Sequence, residues 1–170
     1  MKSIGTLARV AVAAFIAMAT DTIPAAEKAA AFLKNIEGFR ATAYHDPTGR
    51  RTIGYGFTAP DLVGKPRLTE AEASAELSRI CSSISATLRM ELKGQRLTPS
   101  QEAAVISFIY NVGWANFRSS TLCRLLKSGK RGRVVADEFT RWVYVTKDGR
   151  KVVCKGLMAR RERERRQFMS

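Results

Sequence analysis

Polar and apolar positions change rhythm several times along this chain. From Pro24 to Phe39, "PAAEKAAAFLKNIEGF" is rich in helix formers, with Phe32, Leu33 and Ile36 at three-to-four spacing. The spacing predicts a helix that Pro24 starts and Gly38 stops, with Glu37 at its C-terminal end. From Ala43 to Thr58 the rhythm is strand-like. "DPTGRR" reads as a turn and Thr52-Ile53-Gly54-Tyr55-Gly56-Phe57 alternates, so a small antiparallel sheet is expected. From residue 68 onward the pattern is helical. "LTEAEASAELSRI" carries the capping-box pair Thr69 and Glu72. "LTPSQEAAVISFIYNVG" carries the pair Thr98 and Gln101, with Pro99 as first helical residue and Gly113 as the stop. Ala104, Val105, Phe108, Ile109 and Val112 make that helix apolar on nearly all sides, which predicts a central, buried position. Further helices are expected in "SSTLCRLLKSG", "RVVADEFTRWVYV" and "GLMARRERERRQFM". In the last of these, Arg160 with Glu164 and Glu162 with Arg166 stand four apart, and the run reads as a solvated helix face.

These elements add up to an α+β chain: a small antiparallel-sheet lobe over residues 23–67 and a larger, mainly helical lobe over 68–170. The cleft between them is the default place for a ligand.

The first 22 residues differ. Lys2 and Arg9 precede an uncharged, alanine-rich run from Val10 to Ala19, which Asp21 closes. A basic start, an apolar centre and the small-residue exit Ala17-Met18-Ala19 read as a secretory signal. The run falls short of the roughly 20 apolar residues of a standard membrane span. Its alanines gain little from lipid, so a weak membrane anchor is the second reading and a buried first helix the third.

Charge narrows the partners. The formal net charge is +14, from 29 Lys and Arg against 15 Asp and Glu, which favours a polyanion: nucleic acid, acidic lipid or an anionic cell wall. There is no zinc-finger spacing and no aromatic RNA-binding signature, so nucleic acid is not expected. A lone His45 and the scattered Cys81, Cys123 and Cys154 make no metal site. The cysteines read as small buried hydrophobes, or, in an exported chain, as one disulfide of three alternatives.

Two carboxylates flank the expected turn. Glu37 faces the negative end of a helix dipole between Ile36 and Phe39, which disfavours its ionised form. Asp46 sits in a polar turn beside Thr48, Arg50 and Arg51, which favours its ionised form. Two carboxyl groups pushed apart in this way suit acid-assisted glycoside hydrolysis, with Thr52 able to hold a water. The same residues also serve as ordinary helix-end and turn residues, and spacing alone leaves both readings open.

The wider constellation resembles the phage-type lysozymes, a family of glycoside hydrolases. It consists of Glu37-Gly38, Tyr44-x-Asp46, Gly49 and Thr52-Ile53-Gly54-x-Gly56, then "AAVISFIYNVGWANFRSSTL", then Trp142 with Gly156-Leu157-x-x-Arg160-Arg161-x-x-Glu164. These blocks stand in the family's order over roughly residues 25–168. The resemblance implies a lysozyme-like fold and a muramidase that cuts the β-1,4 bond between N-acetylmuramic acid and N-acetylglucosamine in peptidoglycan. It implies Glu37 as general acid, Asp46 and Thr52 positioning the attacking water, inversion at the sugar, no cofactor and no metal. Thr58, Tyr110, Asn111 and Ser120 lie at positions bordering the family's cleft and are candidate substrate contacts. Tyr110 and Asn111 equally suit a core ring and a helix-end cap. Phe57 departs from the pattern, where the family often has His.

The leader is similar to that of the signal-arrest-release endolysins of lambdoid phages. That similarity implies a monomer exported to the periplasm, held at the inner membrane through residues 1–22 before release. Arg9 departs by shortening the span. Two other functions compete: a lytic transglycosylase on the same bond, which needs only one carboxyl, and a non-enzymatic cationic protein bound to wall, membrane or nucleic acid.

Overall fold

The computed structural model describes residues 24–46, 49–147 and 149–170. The leader expectation falls on residues outside that span. Among the described residues, no helix is long and apolar enough to cross a membrane.

Helix α1 (Ala25–Glu37) follows Pro24 and ends at Gly38, whose φ of 68° only glycine adopts without strain. Its buried stripe is Ala25, Ala29, Ala30 and Leu33. Phe32 and Ile36, expected on the core face, are only half-buried. The alanines face inward because α1 packs against two long helices at once, and small side chains permit the close approach.

Strands β1 (Arg40–His45) and β2 (Arg51–Gly54) form an antiparallel hairpin, pairing Tyr44 with Thr52 and His45 with Arg51. The register shifts between Arg40 and Tyr44. A short helix α2 (Pro60–Val63) precedes α3 (Glu70–Glu91). The central helix α4 runs from Pro99 to Ser119 and is broken at Gly113, where φ is 81° and ψ is 164°. Both expected capping boxes are present, Thr69 with Glu72 and Thr98 with Gln101. Residues Glu102 to Ile109 of α4 are buried without interruption, so the central helix is where its composition placed it. Helices α5 (Thr121–Lys127), α6 (Arg133–Phe139) and α7 (Lys155–Met169) complete the helical body. Helix α4 packs on α1 and α7.

One stretch departs from the reading above. "RVVADEFTRWVYV" is not one helix: α6 stops at Phe139, and Tyr144–Lys147 becomes β3, paired antiparallel with β4 (Arg150–Val153). The β-branched and aromatic residues Tyr144, Val145 and Thr146 favour extended backbone, and the Asp148-Gly149 dipeptide between the strands is a hairpin signal. The three cysteines are free thiols. Cys81 and Cys123 lie in the core as small hydrophobes, and burial pushes the Cys81 thiol up to about 12.

Candidate active site

The β1–β2 hairpin and the helical body enclose a cleft of about 640 Å³. Glu37, Asp46, Thr52, Thr58, Tyr110 and Asn111 all line it. A second hollow, between the ends of α3 and α4, is reached by none of them.

Glu37 enters the cleft as the last residue of α1. Its Oε1 accepts a hydrogen bond from Arg160 Nη1 at 2.5 Å. Its Oε2 faces Gly56, where a Cβ atom would lie 3.5 Å from that oxygen. Gly56 has φ of 92°, so the turn after β2 requires glycine, and the missing side chain leaves Oε2 approachable. The surroundings read from sequence were a helix dipole and two apolar neighbours. The guanidinium of Arg160 is a partner that the sequence reading did not include.

Asp46 sits at the end of β1. Its backbone N–H donates to the Arg50 carbonyl at 3.0 Å, and its Oδ1 accepts from the Arg50 N–H at 2.9 Å. These two bonds clamp the turn and hold the carboxylate at the cleft. Thr52 is buried on β2 opposite Tyr44, and its hydroxyl donates to the Arg50 carbonyl at 3.0 Å. With the proton committed there, the lone pairs of Thr52 Oγ1 are left to accept.

Tyr110 lies on α4 and its hydroxyl donates to the Tyr55 carbonyl at 2.8 Å, fastening the turn after β2 to the helical body. Burial, reinforced by the Glu37 charge, pushes its phenol well above the usual tyrosine range, so it stays a donor. Asn111 is exposed at the cleft, and its Oδ1 accepts from Arg161. Thr58 is exposed at the rim. Ser120 is elsewhere: it is buried as the N-cap of α5, accepting from Cys123 N–H at 3.0 Å and donating to the Phe117 carbonyl at 2.6 Å. The proton of its hydroxyl and one lone pair are spent on the helix junction. Phe57 is buried over Gly54, edge-on to Tyr55. His45 is exposed.

Sequence reasoning missed two groups. Glu76 and Arg79 of α3 line the far wall as a two-bond ion pair, with Arg79 holding the Glu76 carboxyl below its usual range. Their i,i+3 spacing on a helix already predicted was the available signal. The second group is Arg160, Arg161 and Glu164, which are all buried. The solvated-face reading is therefore wrong for that side of α7, because it packs on α4 beneath Glu37. Among the described residues, no cluster of His, Cys, Asp or Glu is placed to hold a metal ion.

Comparison with known proteins finds relatives over most of the chain. Residues 34–164 match the family described as phage lysozyme. The chain is 33% identical over 144 residues to an endolysin of Acyrthosiphon pisum secondary endosymbiont phage 1, covering 85% of this chain and 97% of that protein. It is 36% identical over 130 residues to the SAR-endolysin of Bacteriophage PS119, covering 76% and 74%. Among solved structures, the endolysin from Escherichia coli O157:H7 phage FAHEc1 superposes with a TM-score of 0.76 at 28% identity, covering 88% of this chain and 95% of that one. On its fold, its cleft and the match over most of its length, the chain belongs to the phage lysozyme family, hydrolases that degrade peptidoglycan.

Proposed function

We propose that this chain is an endolysin that hydrolyses the β-1,4 bond between N-acetylmuramic acid and N-acetylglucosamine, with Glu37 as general acid and Asp46 and Thr52 positioning the water. The observation that carries this reading is that these three side chains line one cleft at the junction of hairpin and helical body. Arg160 occupies Glu37 Oε1, so Oε2 is the oxygen that gives its proton to the leaving glycosidic oxygen. A water held by Asp46 and Thr52 donates one hydrogen to each, which points a lone pair at the anomeric carbon. As the bond to the sugar forms, Asp46 takes the water's proton. Attack from the face opposite the leaving group inverts the anomeric centre and requires a water-sized gap, roughly 6.5–9.5 Å, between the two carboxyl groups. Thr58, Tyr110 and Asn111 border the sugar chain, while Ser120 has no part in it. The net charge of +14 concentrates the enzyme on an anionic wall.

The test is Glu37→Gln. It abolishes clearing of bacterial walls while the protein still sediments with purified peptidoglycan; undiminished clearing would remove Glu37 from the mechanism. Product analysis separates the competing chemistry. A hydrolase leaves a reducing muramic acid, whereas a 1,6-anhydro end makes the enzyme a transglycosylase.

The same proposal covers the rest of the chain. Residues 23–170 form the catalytic domain, in which α1 carries Glu37 from the helical body to the edge of the hairpin lobe. Residues 1–22 direct export and tether the monomer to the inner membrane before its release into the periplasm. The basic start, apolar run and polar exit support this, as does similarity to relatives named SAR-endolysin. An intact N-terminal mass after bacterial expression is expected; loss of residues 1–19 means a cleaved signal instead.

A further inference from the structure

The two long helices that wall the cleft both run from it to a second, strongly basic end of the body. Arg79 of α3 and Tyr110 of α4 line the cleft. From Arg79 to the end of α3 at Glu91, and from Tyr110 back to Ser100 at the start of α4, is about 15–18 Å along the helix axes. At that far end two loops meet, residues 92–98 between α3 and α4 and residues 128–132 between α5 and α6. Arg131 ties them together. Its Nε and Nη2 donate to the Arg96 carbonyl at 3.2 and 2.8 Å, and its Nη1 donates to the Leu126 and Lys130 carbonyls at 3.2 and 2.6 Å.

Four further cations, Lys93, Arg96, Lys130 and Arg133, are exposed on these loops and at the start of α6. Among the described residues, none of the four forms an ion pair. The acids nearest in sequence are engaged by other cations: Glu91 by Arg118 and Lys127, Glu102 by Arg89, and Asp137 by Arg165. Two large apolar side chains are exposed beside these charges. Met90, in the last turn of α3, is 72% exposed, and Val134, next to Arg133 in the first turn of α6, is 54% exposed.

Cations without carboxylate partners attract phosphate. A hydrated glycan or a nucleic-acid backbone offers nothing to an exposed Met and Val. A bilayer offers both layers: headgroup phosphates for the cations, and the acyl boundary beneath them for the apolar tips. We propose that this end of the molecule is a docking surface for an anionic phospholipid membrane. Lys93, Arg96, Lys130 and Arg133 meet headgroup phosphates, and Met90 and Val134 enter the boundary below. The cleft then lies at the opposite end of α3 and α4 from the lipid, where it is open to wall glycan. The surface shares no residue with the cleft, so the inference does not depend on which residue is the general acid.

The test is co-sedimentation of the full chain with vesicles of phosphatidylcholine, alone or mixed with phosphatidylglycerol. Any lipid contact of residues 1–22 is common to every variant, so the quantity read is the ratio of binding to anionic over neutral vesicles. Changing Lys93, Arg96, Lys130 and Arg133 together to Gln lowers that ratio about tenfold or more. A control with Arg67, Lys147, Arg150 and Lys155 changed to Gln loses the same charge from other exposed positions, and lowers the ratio by less than about threefold. Met90→Ser combined with Val134→Ser lowers the ratio about fivefold and leaves binding to soluble polyphosphate unchanged. Equal losses in the fourfold variant and its control would mean that net charge alone acts, and would overturn the proposal. An unmoved ratio in the Met90 and Val134 variant would make the surface a site for a soluble polyanion such as nucleic acid, and would overturn it too. Circular dichroism establishes which variants fold, and if the fourfold variant does not, the Met90 and Val134 variant decides alone.

Discussion

Helix α7 carries two pairs of opposite charge at the same four-residue spacing, and the fold treats them in opposite ways. Glu162 and Arg166 meet at 2.8 Å with side chains 39% and 76% exposed. Arg160 and Glu164 meet at 3.1 Å with side chains 7% and 0% exposed. In water, such a pair gains little, because solvent already serves both charges and holding two long side chains together costs entropy. In the core, each charge has lost its water, so every donor and acceptor must find a protein partner. Arg160 and Glu164 find theirs in Glu37, Ser107 and Arg161. One pair is a surface feature of the helix. The other holds the candidate acid in place.

The contrast can be broken by experiment. The largest effect is expected from Glu164→Ala, which leaves buried Arg161 without a carboxylate and Arg160 with Glu37 alone, and costs about 3–5 kcal/mol in urea unfolding. Replacing Arg161 and Glu164 together, by Met and Leu, removes a charge of each sign and recovers most of that loss. A double variant no more stable than Glu164→Ala would show that the individual hydrogen bonds matter more than charge balance. Ser107→Ala leaves Glu164 Oε1 one donor short and costs about 1–2 kcal/mol. Glu162→Ala is the smallest, about 0.5 kcal/mol or less, and its effect fades at high salt. If Glu162→Ala matched Glu164→Ala, the distinction between the two faces would collapse.

Gly56→Ala sharpens the functional side of the comparison. A side chain there strains a backbone at φ of 92° beside Glu37 Oε2, so wall clearing falls by more than tenfold. Arg160, which touches the other oxygen, is left in place. Parental clearing by a folded Gly56→Ala protein would mean that Oε2 is not the oxygen presented to substrate.

Local signals in the sequence were read well where the cause was local. The Thr69–Glu72 and Thr98–Gln101 boxes each need only a few consecutive residues, and both formed. Gly38 and Gly113 interrupt their helices because their backbone angles are confined to glycine. Glu37, Asp46 and Thr52 were picked out by a spaced pattern across a helix end and a hairpin, and the fold brings all three to one cleft. Ser120 caps a helix and is not among the residues lining the cleft, and a hydroxyl at a helix start looks the same in sequence whether it caps the helix or faces a ligand. The β3–β4 hairpin was missed although its Asp-Gly turn was visible, because apolar residues continuing from α6 resembled more helix.

The sequence by itself determined the order of the long helices and the first hairpin, the caps and breaks of those helices, the buried character of α4 and the identity of the carboxylates worth testing. These follow from backbone preference and short-range periodicity, which act over a few residues. Only the tertiary structure decided which face of α7 lies beneath Glu37, and so which of two equivalent charge pairs is buried. Glu37 and Arg160 stand 123 residues apart in the chain yet 2.5 Å apart in the fold. Burial depends on what packs against a helix, and a contact across that separation leaves no periodic trace in the sequence on either side.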